Sequence, residues 1–278
     1  MPLVVANGTK ISYAERGTGE PVVLVMGTGS PGSVWQLHQV PALVAAGYRV
    51  VTFDNRGVAP LPPGAAKPTV EDLVGDVVAL VERLCGGRAR LVGTSLGAHV
   101  VQEVMVTRPD LVQQAVLMAT RGRTDTFRGA LATAEAAIAL GEAKLPPQAY
   151  AVWRLIQSLS PHTLNDEKQA RSWLDLMEFF PPSLEVAEAQ TELERMADRL
   201  DAYRAVTPPP YGALVVGFAD DLVTPPHLGR EVAEAIPGAR FTEVARCGHF
   251  GYLERPDAVN ALLVEFFGDR VPSTRSTQ

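Results

Sequence analysis

Cysteine is scarce: Cys85 and Cys247 are two in 278 residues, too few for a disulfide scaffold. No Cys-x-x-Cys pair and no His/Cys cluster at ligand spacing points to a metal site. Basic clusters are missing as well. Against 31 Asp and Glu stand 25 Lys and Arg, a net charge of −6, and nowhere do the cations gather into the patch that a phosphate backbone requires. No segment approaches the roughly 18 to 20 apolar residues needed to cross a bilayer, and the opening Met-Pro-Leu-Val-Val-Ala-Asn-Gly lacks a basic start leading into an apolar stretch. These absences predict a soluble, cytoplasmic protein with two reduced, buried thiols and no metal, nucleic-acid or membrane partner. Its partner is expected to be a small molecule, and nothing indicates an oligomeric state.

The length suits one large α/β domain, with or without an insertion. Val4 to Ala6 and Ile11 to Glu15 alternate around Asn7-Gly8, which predicts an antiparallel hairpin. Val22 to Met26 and Tyr48 to Phe53 are short apolar runs, expected as strands covered on both faces, with Trp35 to Ala46 as the helix between them. Thr69 and Asp72 resemble a capping box before the stripe Leu73, Val77, Leu80, Val81 and Leu84. Ala115 to Met118 reads as a further strand. Such alternation predicts a doubly wound, mostly parallel sheet.

Between Arg121 and about Thr207 the strand-like runs disappear, and Ala/Glu/Leu-rich segments are broken at prolines 146–147, 161, 181–182 and 208–210. This is expected to be an inserted helical cap, residues 121–207, on a core of residues 1–120 and 208–270. Within it Trp153, Trp173, Met177 and Phe180 are the candidates for lining a substrate pocket as a group, although burial inside the cap is the plainer reading of any one of them. The α/β rhythm resumes with the strand Ala213 to Phe218, the helix His227 to Ala235, the strand Phe241 to Val244 and the helix Asp257 to Phe267. A polar, frayed tail is expected over 271–278.

The most informative stretch is Gly93-Thr94-Ser95-Leu96-Gly97. A strand ending at Val92 and a helix with Leu96, Val100, Val101 and Val104 inward would place Ser95 at a sharp turn, where only glycines let the two elements pass. With ten serines and 24 glycines the pattern is expected by chance about 0.07 times, so its context matters as much as its occurrence. A serine hydroxyl is a poor nucleophile without a base, itself oriented by a carboxylate. Asp220 and Asp221 directly follow one expected strand and His249 follows another, so all would sit at strand carboxyl ends, where open α/β sheets bind ligands. His99 is a rival base, but four residues along a helix it stands one turn beyond the serine. Glu254, Asp257 and Asn260 are expected to cap the last helix, and His38, His162 and His227 to be ordinary surface or half-buried residues.

With its Gly-Thr-Ser-Leu-Gly turn, Asp221-Leu-Val-Thr-Pro-Pro loop and Gly-His249-Phe-Gly-Tyr-Leu-Glu-Arg-Pro loop, the chain resembles the α/β-hydrolases over residues 1–120 and 208–268. The resemblance implies an α/β-hydrolase core, a cofactor-free Ser95–Asp221–His249 triad with Asp220 as the alternative acid, and an oxyanion hole from the backbone N–H groups of Leu96 and Thr28. It implies a serine hydrolase acting on an ester, thioester or lactone of a small hydrophobic substrate. Carbon–carbon hydrolysis, perhydrolysis, acyl transfer or ligand reception without catalysis are the alternatives. Serine in place of aspartate at the turn disfavours alkyl-enzyme chemistry. The chain departs from the family where Met26 replaces a usual histidine and Ala59-Pro60-Leu61 a usual Gly-x-Ser.

A different class competes on Gly27-Thr28-Gly29-Ser30-Pro31-Gly32, a literal G-x-G-x-x-G between a strand and a helix, with Asp54 closing the next strand as a ribose-binding acid would. Pro31 and Pro41 suit an uninterrupted phosphate-binding helix poorly, so a dinucleotide-binding protein is the lesser expectation.

Overall fold

The computed structural model describes residues 2–59, 61, 64–179, 188–190, 193 and 197–269. Phe180 and the tail 271–278 lie outside them. Eight strands form one sheet in the order β1-β2-β4-β3-β5-β6-β7-β8. These are β1 (Leu3–Ala6), β2 (Thr9–Arg16), β3 (Pro21–Val25), β4 (Arg49–Phe53), β5 (Ala89–Thr94), β6 (Val112–Met118), β7 (Ala213–Phe218) and β8 (Arg240–Val244). The β1/β2 and β2/β4 pairs are antiparallel, and every pair from β4 to β8 is parallel.

Asn7 and Gly8, at φ 46° and 72°, make the two-residue turn that Ala6 opposite Thr9 requires. Helix α1 (Gln39–Ala45) is shorter than the sequence suggests, because a 3-10 turn over Gly32–Leu37 precedes it and the break falls at His38. Pro41 explains the break: without an N–H it is tolerated in the first turn of a helix and costly further in. Helix α2 (Val70–Leu84) starts on the expected box, the Thr69 hydroxyl accepting from Asp72 N at 3.2 Å and the Asp72 carboxylate accepting from Thr69 N at 2.9 Å. From its middle the buried Asp76 accepts from Arg56 and Asn7, tying the hairpin and the loop after β4 to one helix. That hydrogen bond to Asp76 raises the Arg56 pKa.

Strand β5 is buried along its whole length, as a central strand with helices on both faces must be. Two apolar clusters lie on opposite faces of the sheet, one beneath α2 and α3 (Leu96–Thr107), the other around Trp35, Leu43, Tyr252 and Phe267. At about 1.5 to 3 kcal/mol per buried Val, Leu or Phe, these faces supply the main driving force for folding.

Between β6 and β7 the described residues contain no strand. They hold helices α4 (Thr126–Ala139), α5 (Pro147–Ser158), α6 (Pro161–Leu164), α7 (Glu167–Phe179) and α8 (Leu200–Arg204). After β7 come α9 (Pro226–Ala235), α10 (Gly251–Glu254) and α11 (Pro256–Gly268). Among the described residues no helix is long and apolar enough to cross a membrane.

Candidate active site

Ser95 stands between β5 and α3 with φ 53° and ψ −121°, a backbone conformation that L residues rarely adopt and that costs about 1 to 3 kcal/mol. Packing holds it there. A Cβ at Gly93 would lie 2.3 Å from the Gly97 carbonyl oxygen, and one at Gly97 would lie 2.1 Å from that of Val25. Strand, turn and helix therefore meet at backbone distance. Gly27, opening the loop after β3, faces the serine so closely that a Cβ there would come within 3.2 Å of the Ser95 Cβ. Ser95 O accepts from the N–H groups of Ala98 and His99 as the first carbonyl of α3, and Leu96 begins that helix, where N–H groups have no intrahelical acceptor.

At the carboxyl ends of β7 and β8 the structure brings Asp221 and His249 together, with 2.9 Å between Asp221 Oδ2 and His249 Nδ1. Asp221 is 3 % exposed. Its Oδ1 accepts from Val223 N at 2.8 Å and Thr224 N at 2.9 Å, and its Oδ2 from the Thr224 hydroxyl at 2.8 Å. An ionised carboxylate only accepts, so Nδ1 carries the hydrogen that points at it. The lone pair of a neutral imidazole is then left on Nε2. Thr224 Oγ1 also lies 3.3 Å from Nδ1. Among the described residues no hydrogen bond joins His249 to Ser95. Catalytic hydrogen bonds in unliganded sites are often long and tighten on substrate binding.

Asp220, the alternative acid, points elsewhere: its carboxylate accepts from Ser160 Oγ at 2.6 Å. His99 Nδ1 lies 3.3 Å from the Tyr203 hydroxyl and 4.0 Å from Glu103. Glu254 does not cap the last helix. It is turned inward, accepting from Gly248 N at 2.6 Å, Ser160 N at 3.0 Å and Thr163 Oγ1 at 2.5 Å, so that it binds the His249 loop to the α5–α6 junction. Asn260 donates to His38 O, and α11 has Arg255 at its N-cap position without a side-chain cap. Gly248 is required by the same junction, since a Cβ there would lie 2.8 Å from Ser158 O.

A small pocket open to solvent is lined by Ser95, Leu96, His99, Ala119, Thr120, Arg121, Leu193, Val223 and Thr224. Trp153, Trp173 and Met177 are not in this lining. Trp153 stacks on Tyr150 at 5.9 Å, and Trp173 on Phe250 at 6.2 Å, one ring removed from His249.

The glycine loop after β3 is committed differently from a dinucleotide site. Gly32 N–H donates to Asp54 at 2.7 Å, so the two groups that a pyrophosphate and a ribose would need are bonded to each other. A Cβ at Gly32 would meet Phe53 O at 2.2 Å, which explains the glycine by packing. Among the described residues no three His, Cys, Asp or Glu stand together as metal ligands.

The sequence model of the Alpha/beta hydrolase family matches residues 22–262. The chain belongs to the alpha/beta hydrolase family. This hydrolase is 45 % identical to a Mycobacterium tuberculosis protein named "Putative non-heme bromoperoxidase BpoC", over 92 % of this chain and 97 % of that one. The crystal structure of that protein superposes with a TM-score of 0.86, covering 92 % of this chain and 95 % of the other at 44 % identity. The enol-lactonase of Burkholderia xenovorans superposes with a TM-score of 0.81 at 27 % identity, covering 96 % and 100 %. A 2-hydroxy-6-oxononadienedioate/2-hydroxy-6-oxononatrienedioate hydrolase of Burkholderia vietnamiensis is 28 % identical, over 95 % of this chain and 93 % of that one.

Four polar residues around the site had no role in the reading of the sequence: Thr224, Ser160, Thr163 and Gln190. For Thr224 a signal existed, because an Asp followed by Thr and two prolines forms a turn in which the carboxylate caps its own following N–H groups. For the other three none did, since their partners are 60 to 161 residues away.

Proposed function

We propose that this hydrolase cleaves an ester, thioester or lactone of a small substrate through an acyl-enzyme on Ser95. His249 Nε2 takes the Ser95 proton as the hydroxyl attacks the carbonyl and then delivers it to the departing oxygen or sulfur. Asp221 holds the imidazole in the required tautomer and stabilises its charged form. The N–H groups of Leu96 and Thr28 receive the developing oxyanion. Water then attacks the acyl-enzyme with His249 as base, releasing the acid and restoring the serine.

The observation that carries this reading is the 2.9 Å contact between buried Asp221 and His249 at the strand ends, with the strained, half-buried Ser95 lining the same pocket as Thr224, which bonds to Asp221. In the same proposal residues 121–207 form a cap over the core, and the partner is a small carbonyl compound, not a nucleic acid or a membrane. Trp173, stacked on Phe250 beside His249, has more support as a substrate contact than Trp153 or Met177.

The test is fluorophosphonate labelling with peptide mapping, followed by a chain-length panel of esters and thioesters. Labelling at Ser95 is expected, and the panel reads the acyl preference. Absence of label at Ser95 in active protein would overturn the proposal. A bromoperoxidase name among the relatives motivates one added arm, in which hydrogen peroxide replaces water at the acyl-enzyme and the product is a peracid.

A further inference from the structure

Gln190 belongs to the segment between α7 and α8, yet it is fully enclosed and its carboxamide is used at both ends by the core. Oε1 accepts from Gly29 N–H at 2.7 Å, in the loop after β3. Nε2 donates to Arg56 C=O at 2.7 Å, in the loop after β4. A buried amide is costly unless bonded, and a long side chain loses rotamer freedom, so both contacts must offset a real penalty. A primary amide is suited to the task because it offers an acceptor and a donor side by side without charge. Gly57 leaves room for it, since a Cβ there would lie 3.1 Å from Gln190 Cγ.

The loop between Gly27 and Gly32 has firm anchors at its two ends, where Asn55 Nδ2 holds Met26 O at 2.7 Å and Asp54 holds Gly32 N at 2.7 Å. Across its middle the backbone bond from Ser30 N to Gly27 O is long, at 3.5 Å, and Gly29 has φ +72°. Gln190 grips the peptide joining Thr28 to Gly29, one unit after the Thr28 N–H. We infer that Gln190 is a positioning residue for the oxyanion hole: by fixing that peptide it sets the direction of the Thr28 N–H. The inference rests on the proposed function above.

The experiment compares wild type, Gln190→Ala and Gln190→Glu with p-nitrophenyl acetate and with an arylboronic acid, whose serine adduct is tetrahedral. In Gln190→Ala kcat is expected to fall about 10- to 100-fold, less than the loss of a whole oxyanion donor, with KM changed less than about threefold. The boronate inhibition constant should weaken in step with kcat, and the pH profile should keep its midpoint, because the Asp221–His249 contact is untouched. Gln190→Glu keeps the acceptor for Gly29 but, when ionised, loses the donor to Arg56. Its activity relative to wild type should rise as pH falls and the acid regains a proton. Turnover within twofold of wild type in folded Gln190→Ala, a Gln190→Glu activity relative to wild type that does not change with pH, or a change in KM alone would overturn the inference. If wild type is labelled at Ser95 and the variants turn over normally, only this inference falls; if wild type is not labelled there, the reading beneath it falls first.

Discussion

The turn at Ser95 and the helices of residues 126–179 show two ways of using sequence. At the turn, added methyls on Gly93 and Gly97 would meet backbone at 2.3 and 2.1 Å, and every residue of β5 is buried. In α4, a methyl on Gly129 would meet nothing closer than a Thr124 side-chain carbon at 3.7 Å, and Phe127, Val152, Ile156 and Phe179 are exposed along these helices. The first region is over-determined by backbone sterics, and the second tolerates many sequences. A few polar groups break this contrast: Ser160 N–H and the Thr163 hydroxyl bond to Glu254, which holds the loop carrying His249, and Gln190 bonds to Gly29 in the loop carrying Thr28.

The comparison breaks most visibly at the reacting groups. Ser95→Ala should lower kcat/KM for an ester at least about 10⁴-fold while leaving the unfolding transition intact, since a nucleophile contributes to chemistry and not to packing. Asp221→Asn should cost about 10³- to 10⁴-fold by presenting the wrong tautomer, whereas Asp220→Asn, whose partner is Ser160, should stay within about threefold in the same assay. Gly97→Ala tests the steric half and is expected to cost about 4 kcal/mol or more in urea unfolding, or to prevent folding outright.

Smaller effects sharpen the contrast. Burial pushes the Cys85 thiol up to about 11 and the Cys247 thiol up to about 12 from an ordinary value of 9.0. Burial raises the Tyr203 and Tyr252 phenols as well. The native chain thus keeps protons that the unfolded chain releases, so stability is full below the unfolded thiol range and declines as pH climbs toward 11. Free energies of unfolding from urea titrations at about pH 8 and about pH 10.5 should differ in that direction by about 1 to 2 kcal/mol for each thiol, with a shallower decline in Cys247→Ala. Gly129→Ala, in the permissive region, should raise stability by about 0.5 to 1 kcal/mol by reducing the freedom of the unfolded chain.

The hairpin at Asn7-Gly8, the capping box at Thr69, the buried strands and the turn around Ser95 were legible because each is a local constraint, written within a few residues. The Trp35 to Ala46 helix was legible in kind but not in its break at His38. Glu254 was misassigned to a helix cap because its true partners, Ser160 and Thr163, lie more than 90 residues away. Trp153, Trp173 and Met177 were legible as an aromatic and apolar group, but composition carries no direction, and their side chains do not enter the lining of the pocket at Ser95.

By itself the sequence determined that Ser95, Asp221 and His249 each follow the end of an apolar run, with glycines where backbone must pass backbone. The resemblance favoured Asp221 over Asp220, and the structure shows Asp221 meeting His249; tertiary structure alone decided that Asp54 turns to Gly32 and that Gln190 and Glu254 hold two distant loops. The physical reason is range. Propensity and sterics act over a few residues and leave a pattern, whereas a hydrogen bond between residues far apart in the chain leaves none until the core has brought them together.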